Sequence, residues 1–564
     1  MNVPNGVPQI SIELDVAVPM RDGTNLRADI YRPAGEGPWP VLLQRTPYGK
    51  SSPFQGLVLD AVAAVLRGYI VVQQDTRGRF ASDGEWLPWA YERQDGHDSV
   101  EWAAQLPGSN GKVGMFGGSY TGHTQWAAAI SGPPHLVAIA PQVTWSEPND
   151  GIFFRGGALE LGLNAPWSLG QSLGQLWKTG ASPDELDVTM ATMVGDLDDL
   201  ANTGYWELPS GDLPAIARTG MPDIGLQRAL RDPRTSEECR VAGHYDELAV
   251  PSLNIGGWYD IFMQGTLDNY RAMRERGLPT RLVMGPWNHY TVSGLNGGQT
   301  GEVNFGVASC VPPGANSASL TEVQLDWFDH WLGGADASKS HQSGVKIFVM
   351  GINQWREEDD WPLARAEATR LHLREGGHLT FEAPTDDAAS SVYVYDPADP
   401  VLTRGGAQVM SSEFPAGPLD QAAVETRKDV LVFTSDVLPE DLEVTGRVSA
   451  RLFASTDVVS TDWVVRLCDV DERGVSHNIA DGILRAATSP GSVDEHEIDL
   501  WSTSMVFKAG HRLRVHVTSS NFPRWDRNLN TGAPVTDGTH HLVANQTVYH
   551  DASWPSHLVL PVVR

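Results

Sequence analysis

Cysteines and basic residues are scarce in this sequence of 564 residues. Its three cysteines, Cys239, Cys310 and Cys468, lie far apart and form no Cys-x-x-Cys motif. This spacing predicts neither a disulfide framework nor a zinc cluster, and a thiol-reducing cytoplasm is the expected location. Lys and Arg number 41 against 70 Asp and Glu, which gives a formal net charge of −29. Such a charge repels nucleic acid and anionic membranes, so we expect neither as a partner.

Long apolar runs are also lacking. The most apolar stretch, residues 57–72, contains Asp60 and Arg67 and is too short to span a bilayer. Residues 1–15 show neither the basic patch nor the apolar core of a signal peptide. Hydrophobic residues make up 41% and charged residues 20% of the chain, as in globular proteins. At about 100–200 residues per domain, the length predicts about three domains.

The hydrophobic pattern changes along the chain. Short apolar runs, among them residues 69–73 and 112–116, alternate with helical patterns and predict a parallel sheet covered by helices. Strand patterns vanish over residues 146–240, which predicts a helical insertion, and then return. After Lys346 the apolar residues alternate with period two, which is typical of a β-sandwich or jelly roll.

A serine in a glycine-rich segment follows one predicted strand. Residues 117–122 read Gly-Gly-Ser-Tyr-Thr-Gly and precede a helical run, as in a nucleophile elbow. The following helix would direct its N-terminus at Ser119 and favour developing negative charge. The last glycine, Gly122, comes one residue later than in Gly-x-Ser-x-Gly. An ordinary serine in a glycine-rich turn is therefore an alternative interpretation.

An acid and a base follow Ser119 in the order that this elbow requires. The strand at residues 253–255 runs into a loop ending at Asp260, and the strand at 282–284 into a loop ending at His289. Active-site loops of open α/β sheets lie at such strand ends. The sequence therefore predicts a catalytic triad of Ser119, His289 and Asp260, with no metal or other cofactor.

The loop after the predicted strand at residues 41–44 should supply an oxyanion donor. Pro47 has no N–H to donate, so we predict that the Tyr48 hydroxyl is one donor and the backbone N–H of Tyr120 the other. A tyrosine that only packs is the alternative. Asp75 and Arg77 are expected to form a buried ion pair.

These motifs resemble those of the bacterial cocaine esterases, within the X-Pro dipeptidyl-peptidase-like serine hydrolases. The shared segments include Pro-Tyr at 47–48, Gly-Trp-Tyr-Asp at 257–260 and Gly-Pro-Trp-x-His at 285–289. The resemblance extends over nearly the whole chain and accounts for the late glycine. It implies an α/β-hydrolase core with an inserted helical cap and a C-terminal all-β jelly roll. We place the core at residues 1–145 and 241–345, the cap at 146–240 and the jelly roll at 346–564.

The resemblance also implies a serine carboxylesterase for small-molecule esters. A homodimer is a candidate assembly. Its substrate-binding positions correspond here to Gln55, Phe153, Trp167, Phe262, Val409 and Met410. Trp145, just past a predicted strand, either lines the site or anchors the cap.

The acyl group is expected to be uncharged, aromatic or of medium size. Amino-acid ester hydrolases bind an ammonium with acids at the positions of Phe262 and Met263 here. A carboxylate of Glu147, Asp150 or Glu160 that pointed into the pocket would reverse this expectation, because it could bind an ammonium. Two alternatives stay open. One is an amide-directed relative: an X-Pro dipeptidyl peptidase, an α-amino-acid ester hydrolase or a β-lactam acylase. The other is a carbohydrate-binding protein without enzymatic activity.

Overall fold

A sheet flanked by helices begins the chain in the computed structural model, which describes residues 10–293, 297–313, 319–333 and 344–564. Its first elements are β1 (Ile10–Pro19), β2 (Asn25–Pro33), β3 (Trp39–Thr46), α1 (Gln55–Val58), α2 (Ala61–Leu66), β4 (Ile70–Asp75), α3 (Glu92–Ala104), β5 (Ser109–Gly118), α4 (Tyr120–Ile130) and β6 (Leu136–Gln142). Every residue of β4 is buried, because helices cover both faces of the sheet.

Helices then dominate the segment where the strand pattern vanished. Its elements are β7 (Phe154–Arg155), β8 (Ala158–Leu159), α5 (Leu161–Leu173), α6 (Pro183–Asp198), α7 (Pro214–Thr219), α8 (Leu226–Arg231) and α9 (Pro233–Cys239). A capping box starts α6, in which Ser182 accepts the N–H of Glu185 and the Glu185 carboxylate accepts the N–H of Ser182. The helices share a small apolar core that includes Leu169, Met193 and Leu213.

The sheet then resumes. The next elements are β9 (Ser252–Gly257), α10 (Met263–Glu275), β10 (Thr280–Gly285), β11 (Gln299–Thr300), β12 (Val303–Asn304), α11 (Leu320–Leu332), β13 (Gly344–Val349) and β14 (Gln354–Glu358). Across the sheet the strand order is β1-β2-β4-β3-β5-β6-β9-β10-β13-β14, and the pairings from β4 to β13 are parallel. This topology is consistent with an α/β-hydrolase core and brings the carboxyl ends of β5, β9 and β10 to one edge.

The end of this sheet differs from the predicted domain boundary. The predicted boundary lies between residues 345 and 346, but β13 pairs in parallel with β10 and β14 pairs with β13. Val345, Ile347 and Phe348 are buried. Because a buried strand is a short apolar run in the sequence, β13 could not be told from the first strand of the all-β part. The all-β part therefore begins after Glu358.

Strands make up most of the remaining chain. They are β15 (Ala366–Arg374), β16 (His378–Thr380), β17 (Ser390–Tyr395), β18 (Leu431–Ser435), β19 (Leu442–Thr456), β20 (Ser460–Val470), β21 (Ser476–Ala487), β22 (Asp494–Phe507), β23 (Arg512–Thr518), β24 (Ala544–Tyr549) and β25 (His557–Val563), with α12 (Ala422–Glu425) before β18. Among β15 to β25, as far as the described residues show, only β16 and β18 pair in parallel. Trp463 and Leu500 share one apolar core with Trp258 and Phe348 of the first sheet, so the two parts pack together.

Asp75 and Arg77 are buried but bind different partners. Asp75 Oδ1 accepts the backbone N–H of Lys50 at 2.7 Å. The Arg77 guanidinium donates two hydrogen bonds to Asp95, at 2.7 and 2.9 Å. The predicted ion pair between Asp75 and Arg77 is therefore replaced by two separate contacts.

In the described parts of the chain, no group of three or more His, Cys, Asp or Glu side chains is arranged to hold a metal ion. None of the helices described there is long and apolar enough to cross a membrane.

Candidate active site

Ser119 occupies the tight turn between β5 and α4. Its backbone angles are φ 59° and ψ −125°, a region that residues with a side chain rarely adopt. The Ser119 N–H donates to the carbonyl of Gln142 at 2.9 Å, and Thr144 Oγ1 donates to the Ser119 carbonyl at 2.9 Å. A Cβ at Gly122 would come within 2.8 Å of Thr144. The late glycine thus allows α4 to pack closely on this strand end while the turn exposes Ser119.

Asp260 and His289 meet at the ends of β9 and β10. His289 Nδ1 lies 2.6 Å from Asp260 Oδ2, and Asp260 is completely buried. The second carboxylate oxygen, Asp260 Oδ1, accepts the N–H of Phe262 at 2.8 Å. Since the carboxylate engages Nδ1, Nε2 is the imidazole nitrogen left to exchange a proton. His289 and Ser119 line the same cavity.

The Tyr48 hydroxyl lies beside Ser119. Trp167 Nε1 donates to this hydroxyl at 3.2 Å, so the phenolic hydrogen stays available for another acceptor. Burial raises the pKa of Tyr48, while the interactions with Trp167 and Ser119 act in the opposite direction and leave the pKa above its ordinary value. Tyr48 therefore keeps its proton at neutral pH.

Tyr120 lines the same cavity, but its side-chain hydroxyl is engaged by other residues. Its hydroxyl accepts the N–H of Trp89 at 2.9 Å and donates to Glu92 at 2.9 Å. Glu92 is paired in turn with the buried guanidinium of Arg45 at 2.7 Å. As the first residue of α4, Tyr120 has no intrahelical acceptor for its N–H.

A cavity of about 270 Å³ opens onto Ser119 and His289. Its walls are mostly aromatic and aliphatic, and the described residues that line it include no carboxylate. Four of the predicted substrate-binding residues line it: Trp145, Trp167, Phe262 and Val409. The sequence did not single out five further lining residues: Trp89, Ile152, Leu163, Asn164 and Tyr290.

Gln55, Phe153 and Met410 do not line this cavity. The amide of Gln55 donates to the carbonyl of Gly49 at 3.2 Å and so supports the loop of Tyr48 from behind. Phe153 packs edge-on against Trp89, with ring centroids 5.3 Å apart. Met410 packs on α5, where a Cβ at residue 162 would come within 2.7 Å of its sulfur. These three side chains support the walls instead of forming them.

The three acids that could have bound an ammonium in the pocket contact other residues instead. Glu147 forms an ion pair with an arginine at 3.1 Å. Asp150 accepts the indole N–H of Trp501 at 3.1 Å, and Glu160 accepts that of Trp525 at 2.8 Å. Burial raises the pKa of Glu160 to about 7. None of the three lines the cavity.

Comparisons with known proteins identify the family. The model of the X-Pro dipeptidyl-peptidase (S15) family matches residues 22–291, and that of the X-Pro dipeptidyl-peptidase C-terminal non-catalytic domain matches residues 339–559. The cocaine esterase of Rhodococcus sp. (strain MB1 Bresler) is 35% identical, over 98% of this chain and 99% of that esterase. The chain belongs to the X-Pro dipeptidyl-peptidase (S15) family of serine hydrolases. This S15-family protein is therefore an enzyme, a hydrolase.

Solved structures share the fold of this S15-family enzyme along its whole length. An aminopeptidase from a marine sediment archaeon, Thaumarchaeota archaeon, has a TM-score of 0.82 and 26% identity, covering 100% of this chain and 99% of its own. An α-amino acid ester hydrolase has a TM-score of 0.77 and 24% identity, covering 100% of this chain and 98% of its own. The fold is thus common to proteins named for different activities, so the fold alone does not identify the substrate.

Proposed function

We propose that this S15-family enzyme is a serine carboxylesterase for small-molecule esters with uncharged, aromatic or medium-sized acyl groups. The observation that carries the proposal is the cavity beside Ser119, which has aromatic and aliphatic walls and no carboxylate among its described lining residues. The likeness to the Rhodococcus cocaine esterase supports ester hydrolysis.

The proposed reaction proceeds through an acyl-enzyme. Ser119 Oγ attacks the ester carbonyl carbon, and its proton passes to His289 Nε2. Asp260 orients the imidazole and stabilises its protonated form. When the C–O bond breaks, the departing alcohol takes the proton from His289. Water then gives a proton to His289 and attacks the carbonyl carbon of the acyl-enzyme. When the bond from this carbon to Ser119 Oγ breaks, His289 returns the proton to Oγ, and the acid is released.

Two donors are proposed to hold the oxyanion. One is the Tyr48 hydroxyl, which keeps its proton and lies beside Ser119. The other is the backbone N–H of Tyr120 at the N-terminus of α4, where the helix dipole also favours negative charge. Both are held in place before substrate binds, which is the condition for strong stabilisation in a dry site.

The cavity favours an uncharged acyl group on energetic grounds. An aryl acyl group packed against Phe262 and Trp145 would gain roughly 1.5–3 kcal/mol from burial. An ammonium in the same place would lose its hydration and meet no carboxylate, at a cost of several kcal/mol. We therefore expect α-aminoacyl esters and X-Pro peptides to be poor substrates.

An amide-directed activity is the second candidate. The likeness to the archaeal aminopeptidase, at 26% identity over the whole chain, favours it. The measurement that separates the two is kcat/KM for phenylacetyl and phenylglycyl esters of one alcohol. We expect the phenylacetyl ester to be preferred by at least about tenfold, which corresponds to about 1.4 kcal/mol. A clear preference for the aminated ester would favour the amide-directed candidate.

A second measurement tests Ser119 as the nucleophile. A fluorophosphonate probe should label the wild-type chain at Ser119, and the Ser119→Ala variant should remain unlabelled and serve as the matched control. Absence of label on the wild-type chain would exclude Ser119 as the nucleophile.

A further inference from the structure

Arg79 is a buried cation behind the loop that carries Tyr48. Only 2% of the residue is exposed. Among the described residues, no carboxylate forms an ion pair with its guanidinium, and the polar contacts of that group are to neutral acceptors. A buried charge without a counterion is costly, so its presence beside a candidate active site calls for a functional reason.

The contacts of Arg79 satisfy its N–H groups without cancelling its charge. Nε donates to the carbonyl of Pro47 at 2.7 Å. Nη1 and Nη2 donate to the backbone carbonyl and the side-chain oxygen of Gln171, at 3.2 and 3.0 Å. The guanidinium also lies over the Trp86 ring, 4.2 Å from its centroid. Because Pro47 directly precedes Tyr48, the first of these bonds fixes the backbone that carries the Tyr48 hydroxyl.

The charge of Arg79 also reaches Tyr48. Burial lowers the pKa of Arg79 to about 10, so the guanidinium is still charged at neutral pH. Its field lowers the pKa of Tyr48 against the larger effect of burial. The nearby Asp75 is engaged by Lys50 at 3.7 Å. A positive charge in this poorly solvated position attracts negative charge that develops at Tyr48 and at the oxyanion it would bind.

We propose that Arg79 is a positioning residue that orients Tyr48 and strengthens its hydroxyl as a hydrogen-bond donor to the reaction oxyanion. This inference rests on the proposed function, because it requires Tyr48 to act in the oxyanion hole. Arg79 does not touch the substrate in this scheme; it acts through Tyr48.

A double-mutant cycle tests the proposal. kcat and KM for a phenylacetyl ester are measured for the wild type, Arg79→Met, Tyr48→Phe and the double variant, per active site titrated with a fluorophosphonate. We expect Arg79→Met to lower kcat at least about tenfold with little change in KM, as for an interaction made in the transition state. In the Tyr48→Phe background the same substitution should change kcat less than about threefold. Arg79→Lys, which keeps the charge, should recover part of the loss.

The outcomes separate this inference from the proposed function. If the wild type does not hydrolyse the ester, both are overturned. If the wild type hydrolyses the ester, fully additive effects of Arg79→Met and Tyr48→Phe would overturn only the role of Arg79. An unchanged kcat in Arg79→Met would do the same. Should Arg79→Met fail to fold, the cycle is run with Arg79→Lys, whose kcat should stay well above that of Tyr48→Phe. An Arg79→Lys variant as slow as Tyr48→Phe would exclude the charge as the cause.

Discussion

Replacing Tyr48 by phenylalanine would remove one hydroxyl and retain the ring that packs edge-on to Tyr120 at 6.4 Å. The hydroxyl lies beside Ser119, and its hydrogen is not used by Trp167, which is itself the donor in their contact. The substitution therefore tests the hydroxyl as an oxyanion donor while it changes little of the cavity wall.

The expected loss follows from the role of the hydroxyl. Removing one preorganised oxyanion donor costs about 10²–10³-fold in kcat, or about 2.7–4 kcal/mol. KM should change much less, because the contact forms mainly in the transition state. The Trp167 N–H would lose its acceptor, which costs about 1 kcal/mol of stability when water in the cavity replaces it. Catalysis should thus fall far more than the melting temperature.

The assay is turnover of p-nitrophenyl phenylacetate, normalised to active sites by fluorophosphonate titration. Tyr205→Phe is the matched control, because the Tyr205 hydroxyl is buried and donates to the carbonyl of Gly162 at 3.3 Å, outside the cavity lining. The Tyr205→Phe variant should lose a comparable hydrogen bond and keep the kcat of the wild type. A Tyr48→Phe enzyme with kcat within about threefold of wild type would place the second donor elsewhere.

The triad, a buried acid and the all-β part provide further tests. Ser119→Ala, His289→Ala and Asp260→Asn should each lower kcat by about 10³-fold or more with unchanged circular dichroism, and near-wild-type turnover in folded Asp260→Asn would remove Asp260 from the triad. Since burial raises the pKa of Glu160 to about 7, the folded protein binds more protons there than the unfolded chain between about pH 4.3 and 7. The contribution of Glu160 to the free energy of unfolding therefore falls as pH rises through that window. Glu160→Gln should raise the melting temperature more at pH 8 than at pH 5. An equal change in melting temperature at both pH values would contradict this. Truncation after Ala335 removes β13, which pairs with β10, and should give insoluble or inactive protein; a soluble, fully active fragment would refute it.

The triad candidates could be predicted because each follows a buried strand, and parallel strands bring their carboxyl ends to one edge. The Asp260–His289 contact at 2.6 Å is the geometry that such a pattern requires. The cavity walls carry no comparable signal. Trp89 comes from the loop before α3, and Leu163 and Asn164 come from α5, so no spacing relates them to Ser119. Their place in the site depends on how distant segments pack.

The same physical reason explains the displaced domain boundary. A strand buried on both faces and a strand of a sandwich both read as short apolar runs, and only the pairing partner distinguishes them. The structure shows that β13 pairs with β10, and the hydrophobic pattern of the sequence contains no signal for this pairing.

The origin of the cavity walls bears on how substrate preference could differ within this family. Ser119 and His289 lie just past strands of the first sheet, Trp167 lies in α5 of the helical segment, and Val409 lies in the all-β part. Three separate parts of the chain thus meet around one serine. A substitution in α5 or near residue 409 can reshape the walls without disturbing the strand ends that hold Ser119, Asp260 and His289. The shared fold of relatives named as esterase, ester hydrolase and aminopeptidase is consistent with this division. Substitutions of Trp167 and Val409 should therefore change the preference for acyl groups, which is measured by KM and kcat/KM. Substitutions in the triad should change the chemical step, which is measured by kcat.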